Sequence, residues 1–326
     1  MAESIRRVAL TGAAGYIGSR LLHRLERETA IEHILAIDVR PLSGHSSPRV
    51  EYRRHDVTVP MADLLAEHRI DAVVHLAFVL RPDRDRAAIR RVNVGGALSL
   101  LEACAQAGVR HLVHLSSTTV YGAHPDNPVM LTEESPLRPV RGFQYGEDKV
   151  KCEGVLADFL SRHPAVTASV LRCCPVLGPS SDNFVSRAFS RPFLPAVRGY
   201  DPPMQFIHED DAVEVLSMCL TQRLSGTYNL AGNGTVRWGE MAALSGRRLV
   251  QVPARLLYGL TGLAWTLRLQ SDSPPSGLDF IRHRWTASTE KIKRELGVTI
   301  QYSSEDAWQA SIGRSLKPTE VSEARR

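Results

Sequence analysis

Tyr145 and Lys149 are spaced so that their side chains could support proton transfer. They lie four residues apart in a helical pattern, which brings a phenol and an ammonium group to one helix face. A free phenol has a pKa of about 10 and is a poor base near neutral pH. A nearby positive charge favours the phenolate, and bringing the pKa to about 7 requires roughly 4 kcal/mol of differential interaction. Tyr145 could then take a hydroxyl proton or return one to a carbonyl, while Ser117 hydrogen-bonds the same oxygen. The alternative is a pair that only stabilises its helix.

Three glycines lie between an apolar, strand-like run at residues 5–10 and a helical pattern at residues 21–25. Only glycine allows so tight a turn and lets a diphosphate approach the bare amides at the start of the helix. The last glycine also allows the helix to pack closely on the strand. The pattern predicts a dinucleotide-binding loop, and the alternative is a structural turn that binds nothing. The loop residues are Gly12, Gly15, Tyr16, Ile17 and Gly18.

Asp38 ends the second apolar run, residues 34–37, and follows Gly18 by about 20 residues. An acid at this distance is suited to the hydroxyl groups of an adenosine ribose, which favours NAD over NADP. Arg40 weakens this preference slightly, because an arginine at this position can hold a 2′-phosphate. The sequence therefore predicts NAD as the cofactor. The positive nicotinamide ring would add to the effect of Lys149 on the phenol of Tyr145.

Strand-like runs alternate with helical patterns through the first half of the chain. This alternation predicts an α/β fold with a doubly wound parallel sheet of the Rossmann type and a small C-terminal substrate-binding lobe. Ligands of such sheets bind beyond the carboxyl ends of the strands, where the glycine loop, Asp38 and Ser117 fall. Further strands are predicted at residues 50–53, 72–77, 109–116 and 166–172, and helices at 84–107, closed by Gly108, and at 143–161.

The second half is expected to contain the lobe. We assign residues 1–178 to the NAD-binding domain, with a strand–helix–strand return around 205–232, and 179–316 mainly to the substrate-binding lobe. Helices are predicted at residues 288–297 and 304–316, and residues 317–326 form a polar, flexible tail.

Composition is that of an ordinary globular protein: 43% of the 326 residues are hydrophobic and 23% charged, with a net charge of +5. The basic residues are scattered without aromatic interleaving, which argues against a nucleic-acid partner. The five cysteines include no Cys-Xaa-Xaa-Cys pattern, so neither disulfides nor a metal site is expected. Cys173 and Cys174 are interpreted as small buried hydrophobic residues. The apolar stretch 256–267 is too short to span a membrane, so we expect no membrane partner and a cytoplasmic location.

The chain resembles the extended short-chain dehydrogenase/reductases, in the NAD-dependent epimerase/dehydratase group. The matching segments follow the order of that family and cover most of the chain to about residue 232. They are residues 11–18, Asp38, Asp56-Val57, 75–77, 93–96, 116–122, 145–149, Leu171-Arg172, Gly178-Pro179 and 206–208.

The resemblance implies Ser117, Tyr145 and Lys149 as the catalytic set, with Tyr145 and Lys149 also contacting the cofactor. It assigns the glycine loop and Asp38 to NAD, and Lys149 to the nicotinamide ribose. The remaining cofactor contacts that it implies are Asp56 and Val57 near the adenine, and Leu76, Ala77, Phe78, Asn93 and Ser116 along the cofactor. It also implies a homodimer built from the helices at 84–107 and 143–161.

The residues after Ser117 distinguish reactions within the family. Nucleotide-sugar 4,6-dehydratases carry an Asp-Glu pair where this chain has Thr118-Thr119, and related decarboxylases keep an acid at the second position. Threonine is no general acid or base near neutral pH, so dehydration and decarboxylation are disfavoured. The segment 116–122 is most similar to that of nucleotide-sugar 4-epimerases, which oxidise a sugar to a ketone and reduce it from the other face.

Two departures keep other functions open. Pro175 stands where the family has a substrate-binding asparagine, and Met204 where sugar epimerases have an arginine that clamps a diphosphate. Arg187, Arg191 and Arg198 are candidate replacements by position only. The favoured function is a UDP-glucose 4-epimerase-like enzyme, and the alternative is an NAD-dependent dehydrogenase or reductase of a non-nucleotide alcohol or ketone. A non-catalytic NAD-binding protein is a third, weaker possibility.

Other polar residues receive structural interpretations. His75 and His208 are expected to be structural hydrogen-bonders, and Asn93 to order backbone near the site. The acids at 209–211 open a helix, where the helix dipole favours them. The stretch 256–269 is interpreted as a packing or subunit-contact helix.

Overall fold

The computed structural model describes residues 4–44, 47–181, 184–189 and 192–313. The predicted tail at 317–326 and the end of the helix expected at 304–316 lie outside them. The strands are β1 (Arg7–Thr11), β2 (His33–Asp38), β3 (Val50–Arg54), β4 (Ala72–His75), β5 (His111–Ser117), β6 (Thr167–Cys173), β7 (Val176–Leu177), β8 (Phe193–Val197), β9 (Pro203–Met204), β10 (Ile207–His208), β11 (Gly226–Leu230), β12 (Val236–Arg237) and β13 (Arg248–Val252).

The helices are α1 (Tyr16–Leu25), α2 (Ala62–Glu67), α3 (Arg86–Arg90), α4 (Gly96–Ala107), α5 (Gln144–Arg162), α6 (Phe184–Ala188), α7 (Glu209–Thr221), α8 (Trp238–Leu244), α9 (Ala254–Thr266), α10 (Glu290–Leu296) and α11 (Ser304–Ser311). Residues Arg91–Gly95 form a π-helical turn, and Thr118–Tyr121 and Pro275–Ile281 form 3₁₀ helices.

Seven parallel strands form the central sheet, in the order β11-β6-β5-β4-β1-β2-β3. The strand order reverses beside β1, as in a doubly wound fold, so the predicted α/β class is confirmed. The strands β1, β2 and β4 are apolar and almost fully buried because helices cover both faces of the sheet. On one face α1 and α7 pack through residues that include Leu21, Leu25 and Leu216, and on the other α2, α4 and α5 pack through Leu65, Leu100 and Leu156.

The helix predicted over 84–107 is interrupted. Asp85 caps α3 by accepting a hydrogen bond from the amide of Ala88, and a π-helical turn then leads into α4. Gly96 begins α4 against Val57, whose Cγ2 would lie 2.6 Å from a Cβ at that position. The helix ends as predicted at Gly108, which has a positive φ of 73°. The π-helical turn shifts the register of the helix and brings Asn93 inward, where it is fully buried.

The second half adds three two-stranded sheets, β7 with β10, β8 with β13 and β9 with β12. Apolar residues of β8, β9 and β12 share a separate cluster with α8 and α11 that includes Phe206, Trp238 and Trp308, whereas Val176 of β7 and Ile207 of β10 pack with the core of the central sheet. The strand β11, from the predicted return segment, completes the central sheet. The division into domain and lobe remains a prediction. In the described part of the chain, no helix combines the length and the apolar character that crossing a membrane requires.

Candidate functional site

The carboxyl ends of β1, β2, β4 and β5 meet at one edge of the sheet. The glycine loop follows β1, Asp38 ends β2, residues 76–78 follow β4, and Ser117 ends β5. The edge therefore gathers the candidate residues as the strand pattern predicts.

Close backbone approach explains the first and last glycines of the loop. Gly12 has a φ of +74°, and a Cβ there would lie 2.6 Å from the amide nitrogen of Ala77. A Cβ at Gly18 would lie 2.0 Å from the carbonyl oxygen of Gly12. No side chain fits at either position, so the turn and the tight packing of α1 against β1 both require glycine.

Gly15 leaves the amino end of α1 open. It is the N-cap residue, and neither a capping side chain nor an acidic residue satisfies the first turn. The first amide groups of a helix need acceptors, and together with the helix dipole they bind phosphate oxygens well. The loop Gly12–Gly18 thus fits the diphosphate of a dinucleotide, and the amides of Tyr16 and Ile17 would donate to it.

Asp38 holds the glycine loop from the neighbouring strand. Its carboxylate is almost fully buried and accepts hydrogen bonds from the amides of Ala14 at 3.0 Å and Arg40 at 2.9 Å. The exposed guanidinium of Arg40 lies 3.5 Å from the same carboxylate. This acid is fixed beside the loop, where a ribose would follow the diphosphate, and it fits the hydroxyl groups of that ribose.

Asp56 and Val57 form the far end of this edge. Asp56 accepts hydrogen bonds from the amide and the hydroxyl of Thr58, both at 2.9 Å, and these bonds lower the pKa of its carboxyl group. Val57 is buried against Gly96. Their predicted place near an adenine stays a prediction.

Asn93 orders the backbone after β4. Its amide oxygen accepts a hydrogen bond from the amide of Val79 at 2.7 Å, and its Nδ2 donates to Asp148 at 3.4 Å. His75 hydrogen-bonds the hydroxyl of Thr11 at 2.8 Å, and burial lowers its pKa to about 3, so it is neutral. Both side chains hold the segment that contains Leu76, Ala77 and Phe78, in agreement with their structural interpretation.

Ser117 is the last residue of β5, and its side chain lies near Tyr145 in the first turn of α5. Its Oγ accepts hydrogen bonds from the amide of Thr119 at 3.2 Å and from the Thr119 hydroxyl at 3.0 Å. The Ser117 hydroxyl also lies close enough to the Tyr145 phenol to lower the pKa of that phenol. Because Thr119 donates to the serine oxygen, the serine proton is left to point toward the phenol or a substrate oxygen.

Lys149 is buried one helical turn from Tyr145. Its Nζ donates to the carbonyl of Leu115 at 2.6 Å and lies 3.8 Å from the ring centroid of Phe78 and 5.9 Å from that of Tyr145. Burial lowers the pKa of Lys149 to about 8. Burial also raises the pKa of Tyr145 to about 12, opposed by the Ser117 hydroxyl. Desolvation of the phenolate therefore dominates for these residues alone, and the lowering of the tyrosine pKa by the ammonium together with the nicotinamide ring stays a prediction.

Ser116 faces away from Ser117, as neighbours in a strand do. Its hydroxyl donates to Glu153, which forms a buried ion pair with Arg172 at 2.8 Å. Arg172 also donates to the phenol oxygen of Tyr121 at 3.0 Å. The Ser116 hydroxyl is already bonded within this network. Any contact of Ser116 with a cofactor would therefore come from its backbone.

The substrate side differs from the family pattern in the way that the sequence indicates. Met204 is buried in the apolar cluster with Phe206 and Trp238. Pro175 lies between β6 and β7. Of the three candidate arginines, Arg198 is exposed, Arg187 is half-buried in α6, and Arg191 lies outside the described residues. Cys173 and Cys174 are free and buried, as expected.

Sequence reasoning missed a buried network at the start of α1. Glu209 accepts hydrogen bonds from the Tyr16 phenol and the Ser180 hydroxyl, and forms an ion pair with Arg20 at 3.0 Å. Glu209 is only 1% exposed. His208 caps α7 by accepting a hydrogen bond from the Asp210 amide at 3.3 Å. The acid at the start of α7 was visible in the sequence, but its partners come from distant segments.

A group of residues at the amino ends of the strands could hold a metal ion. Within the ranges described here, potential ligand atoms of His33, Glu51 and His68 lie within 4.8 Å of one another. Arg53 binds the other oxygen of Glu51 at 2.6 Å. The sequence prediction of no metal had considered the cysteines, His75, His208 and the acids at 209–211, but not this group.

Comparisons with known proteins agree with this architecture. A sequence model of the NAD-dependent epimerase/dehydratase family matches residues 8–231. An uncharacterized protein of Mycobacterium tuberculosis is 28% identical over 319 residues, which are 95% of this chain and 85% of that protein. A UDP-glucose 4-epimerase of Lactobacillus helveticus is 32% identical over 187 residues, 55% of this chain and 54% of that protein.

Solved structures share the fold. MoeE5 in complex with UDP-glucuronic acid and NAD is 26% identical, with a TM-score of 0.73 over 94% of this chain and 98% of that chain. The UDP-glucose 4-epimerase of Thermotoga maritima, solved with UDP-glucose, superimposes with a TM-score of 0.73 at 19% identity, over 94% and 97% of the two chains.

Proposed function

Because the chain belongs to the NAD-dependent epimerase/dehydratase family, we propose that it is an NAD-dependent epimerase of a nucleotide sugar. The family is NAD-dependent, and NAD is the cofactor. The glycine loop fits its diphosphate, since the first turn of α1 lacks a cap, and Asp38 is fixed where its adenosine ribose would lie.

The observation that carries the proposal is the cluster of Ser117, Tyr145 and Lys149 beside two threonines. The Ser117 hydroxyl lies close enough to Tyr145 to lower the pKa of the phenol, and the Nζ of the buried Lys149 lies 5.9 Å from the phenol ring centroid. Thr118 and Thr119 are buried and supply no carboxylate. The site can move one proton at a hydroxyl oxygen, which epimerisation needs, whereas it lacks the second acid and base that the expulsion of water needs.

The mechanism assigns one task to each side chain. When bound, NAD supplies the acceptor and then the donor of a hydride at the sugar carbon. The Oη of Tyr145 takes the proton of the hydroxyl group on that carbon and later returns it to the carbonyl of the keto sugar. Ser117 donates a hydrogen bond to the same substrate oxygen and keeps its proton throughout. Lys149 keeps a positive charge near the phenol, which favours the phenolate against the effect of burial.

A nucleotide sugar is the proposed substrate because similar proteins bind or convert one. MoeE5 was solved with UDP-glucuronic acid and with UDP-glucose, and the Lactobacillus relative is a UDP-glucose 4-epimerase. We propose a UDP-sugar for this chain. An enzyme is favoured over a non-catalytic NAD-binding protein, because the chain keeps Ser117, Tyr145 and Lys149 and the fold brings them together.

A second candidate function follows from Met204 and Pro175. A buried methionine cannot clamp a diphosphate, so the substrate of such an enzyme would be a less polar alcohol or ketone. The reaction would then be net oxidation or reduction by the same three side chains, with exchange of the cofactor in each cycle.

The test is a panel of UDP-sugars followed by NMR for inversion at a single carbon. We expect turnover without added cofactor, and a loss of about 10²–10⁴-fold in Tyr145→Phe. Tyr228→Phe is the control, because the phenol of Tyr228 donates to the Ser225 carbonyl away from the site. Full turnover in Tyr145→Phe would exclude the catalytic assignment, and reduction of ketones without any inversion would favour the second function.

A further inference from the structure

The helix α9 exposes a stripe of leucines that no part of the described chain covers. Leu256, Leu260 and Leu263 lie on one helix face, and Leu267 and Leu269 continue the stripe beyond its end. All five side chains are between 53% and 74% exposed. Spacings of four and three residues give a continuous apolar face, and such a patch on a folded protein marks an interaction surface.

The opposite face anchors α9 to the protein, so the exposed stripe is not the side of a loose helix. Leu257 is buried. The phenol of Tyr258 donates to the carboxylate of Asp279. Gly262 lies close to Pro275, whose Cγ would be 3.7 Å from a Cβ on that glycine. Arg84 donates to the carbonyls of Trp265 and Thr266 at the end of the helix.

The charged residues of the segment that carries the stripe have one sign. Residues 241–271 contain four arginines and neither aspartate nor glutamate. Arg255 and Arg268 are exposed and flank the stripe at its two ends. Arg84 lies over the Trp265 ring, 5.7 Å from its centroid. Leucine, tryptophan and arginine in this arrangement are typical of helices that lie in the interface of an anionic bilayer.

The same charges disfavour a second copy of the chain as the occupant. A symmetric pair of antiparallel α9 helices would cross near residue 262 and bring Arg255 of each chain toward Arg268 of the other. No acidic residue of the segment 241–271 could compensate this repulsion. An anionic lipid surface, in contrast, complements both arginines while the leucines enter the acyl region.

We propose that α9 docks the protein in the plane of an anionic lipid bilayer. A helix of 13 residues is about 20 Å long, which suits a position parallel to the surface rather than across it. This proposal departs from the sequence prediction, which expected no membrane partner and interpreted the stretch 256–269 as a packing or subunit-contact helix rather than a membrane anchor. This inference is independent of the proposed catalytic function.

The experiment is flotation of the purified full chain with vesicles of phosphatidylcholine alone or with phosphatidylglycerol added. We expect binding to the anionic vesicles, little binding to the neutral ones, and a loss of binding at high salt. The double variant Leu256→Ser/Leu263→Ser should lose binding at least about tenfold. Arg255→Gln should lose about fivefold.

Matched controls separate docking from misfolding. Val129→Ser removes another exposed apolar side chain, and Arg27→Gln removes an exposed arginine beyond the end of α1. Both should bind as the parent does, and all variants should keep the parent's unfolding midpoint. Absence of binding to anionic vesicles would overturn the proposal. The proposal would also be overturned if the parent bound no vesicles and formed a dimer that the leucine variant converts to monomer. A second copy of the chain would then cover the stripe.

Discussion

Burial shifts the pKa values of Tyr145 and Lys149 so that the neutral form of each side chain is favoured. The tyrosine pKa rises to about 12 and the lysine pKa falls to about 8. Near pH 7 the lysine is still mostly charged while the phenol stays neutral, so ionisation of the phenol depends on what else is positive beside it. A bound nicotinamide ring is the group that the proposed function supplies. Lys149 alone orients the site but does not ionise the tyrosine.

The lysine pKa gives a prediction for stability. Between pH 8 and about 10.4, the unfolded chain holds a proton on Lys149 that the folded chain has released. The free energy of unfolding therefore increases with pH in this window. We expect the parent protein, stripped of NAD, to gain up to about 3 kcal/mol relative to Lys149→Met as the pH rises from 7 to 10.

Urea unfolding at pH 7, 8, 9 and 10 measures this difference. The variant Lys151→Met, which removes an exposed lysine of the same helix, should show no such trend relative to the parent. A constant difference between the parent and Lys149→Met across the range would show that the folded protein keeps this lysine charged.

At the scale of elements, the junction of β1 and α1 joins fold and function. Gly12 and Gly18 allow backbone contacts that any side chain would prevent, and Gly15 leaves the helix amides open. Asp38 then fixes this loop from β2. The proposed cofactor site is thus formed largely by backbone atoms. Its shape depends on the packing of α1 against β1.

Gly18→Ala tests that packing. Its Cβ would meet the carbonyl of Gly12 at 2.0 Å, so we expect a loss of about 1–3 kcal/mol in the free energy of unfolding and weaker NAD binding. Gly154→Ala is the matched control, because a Cβ there meets nothing within 4 Å in the exposed part of α5. It should stabilise the protein by about 0.5–1 kcal/mol and leave NAD affinity unchanged. Chemical unfolding and fluorescence titration with NAD measure both, and tight NAD binding by Gly18→Ala would contradict the role of this contact.

At the scale of the whole molecule, the sequence could predict what depends on neighbours in the chain. The strand, glycine turn and helix that carry Gly12 to Gly18 are contiguous, and the parallel sheet then brings Ser117 to the same edge. The interrupted helix before α4 was not predicted, because apolar periodicity does not mark a π-helical turn.

Contacts between distant segments lay beyond sequence reasoning. The hydrogen bond of Tyr16 with Glu209 joins the cofactor loop to α7, and the ring of Phe78 covers the Lys149 ammonium. Neither pair has a spacing that a pattern could reveal. The burial that raises the pKa of Tyr145 is likewise a tertiary property that residue spacing does not reveal.

The most direct test of the proposed epimerase is the NAD content of freshly purified protein prepared without added cofactor. Denaturation releases bound NAD and NADH, which an enzymatic assay then quantifies per chain. An enzyme that oxidises and reduces the same sugar has no need to exchange its cofactor. We therefore expect close to one NAD(H) per chain if the protein is an epimerase. An empty protein that binds NAD only weakly would contradict it and would favour a dehydrogenase that exchanges NAD in every cycle.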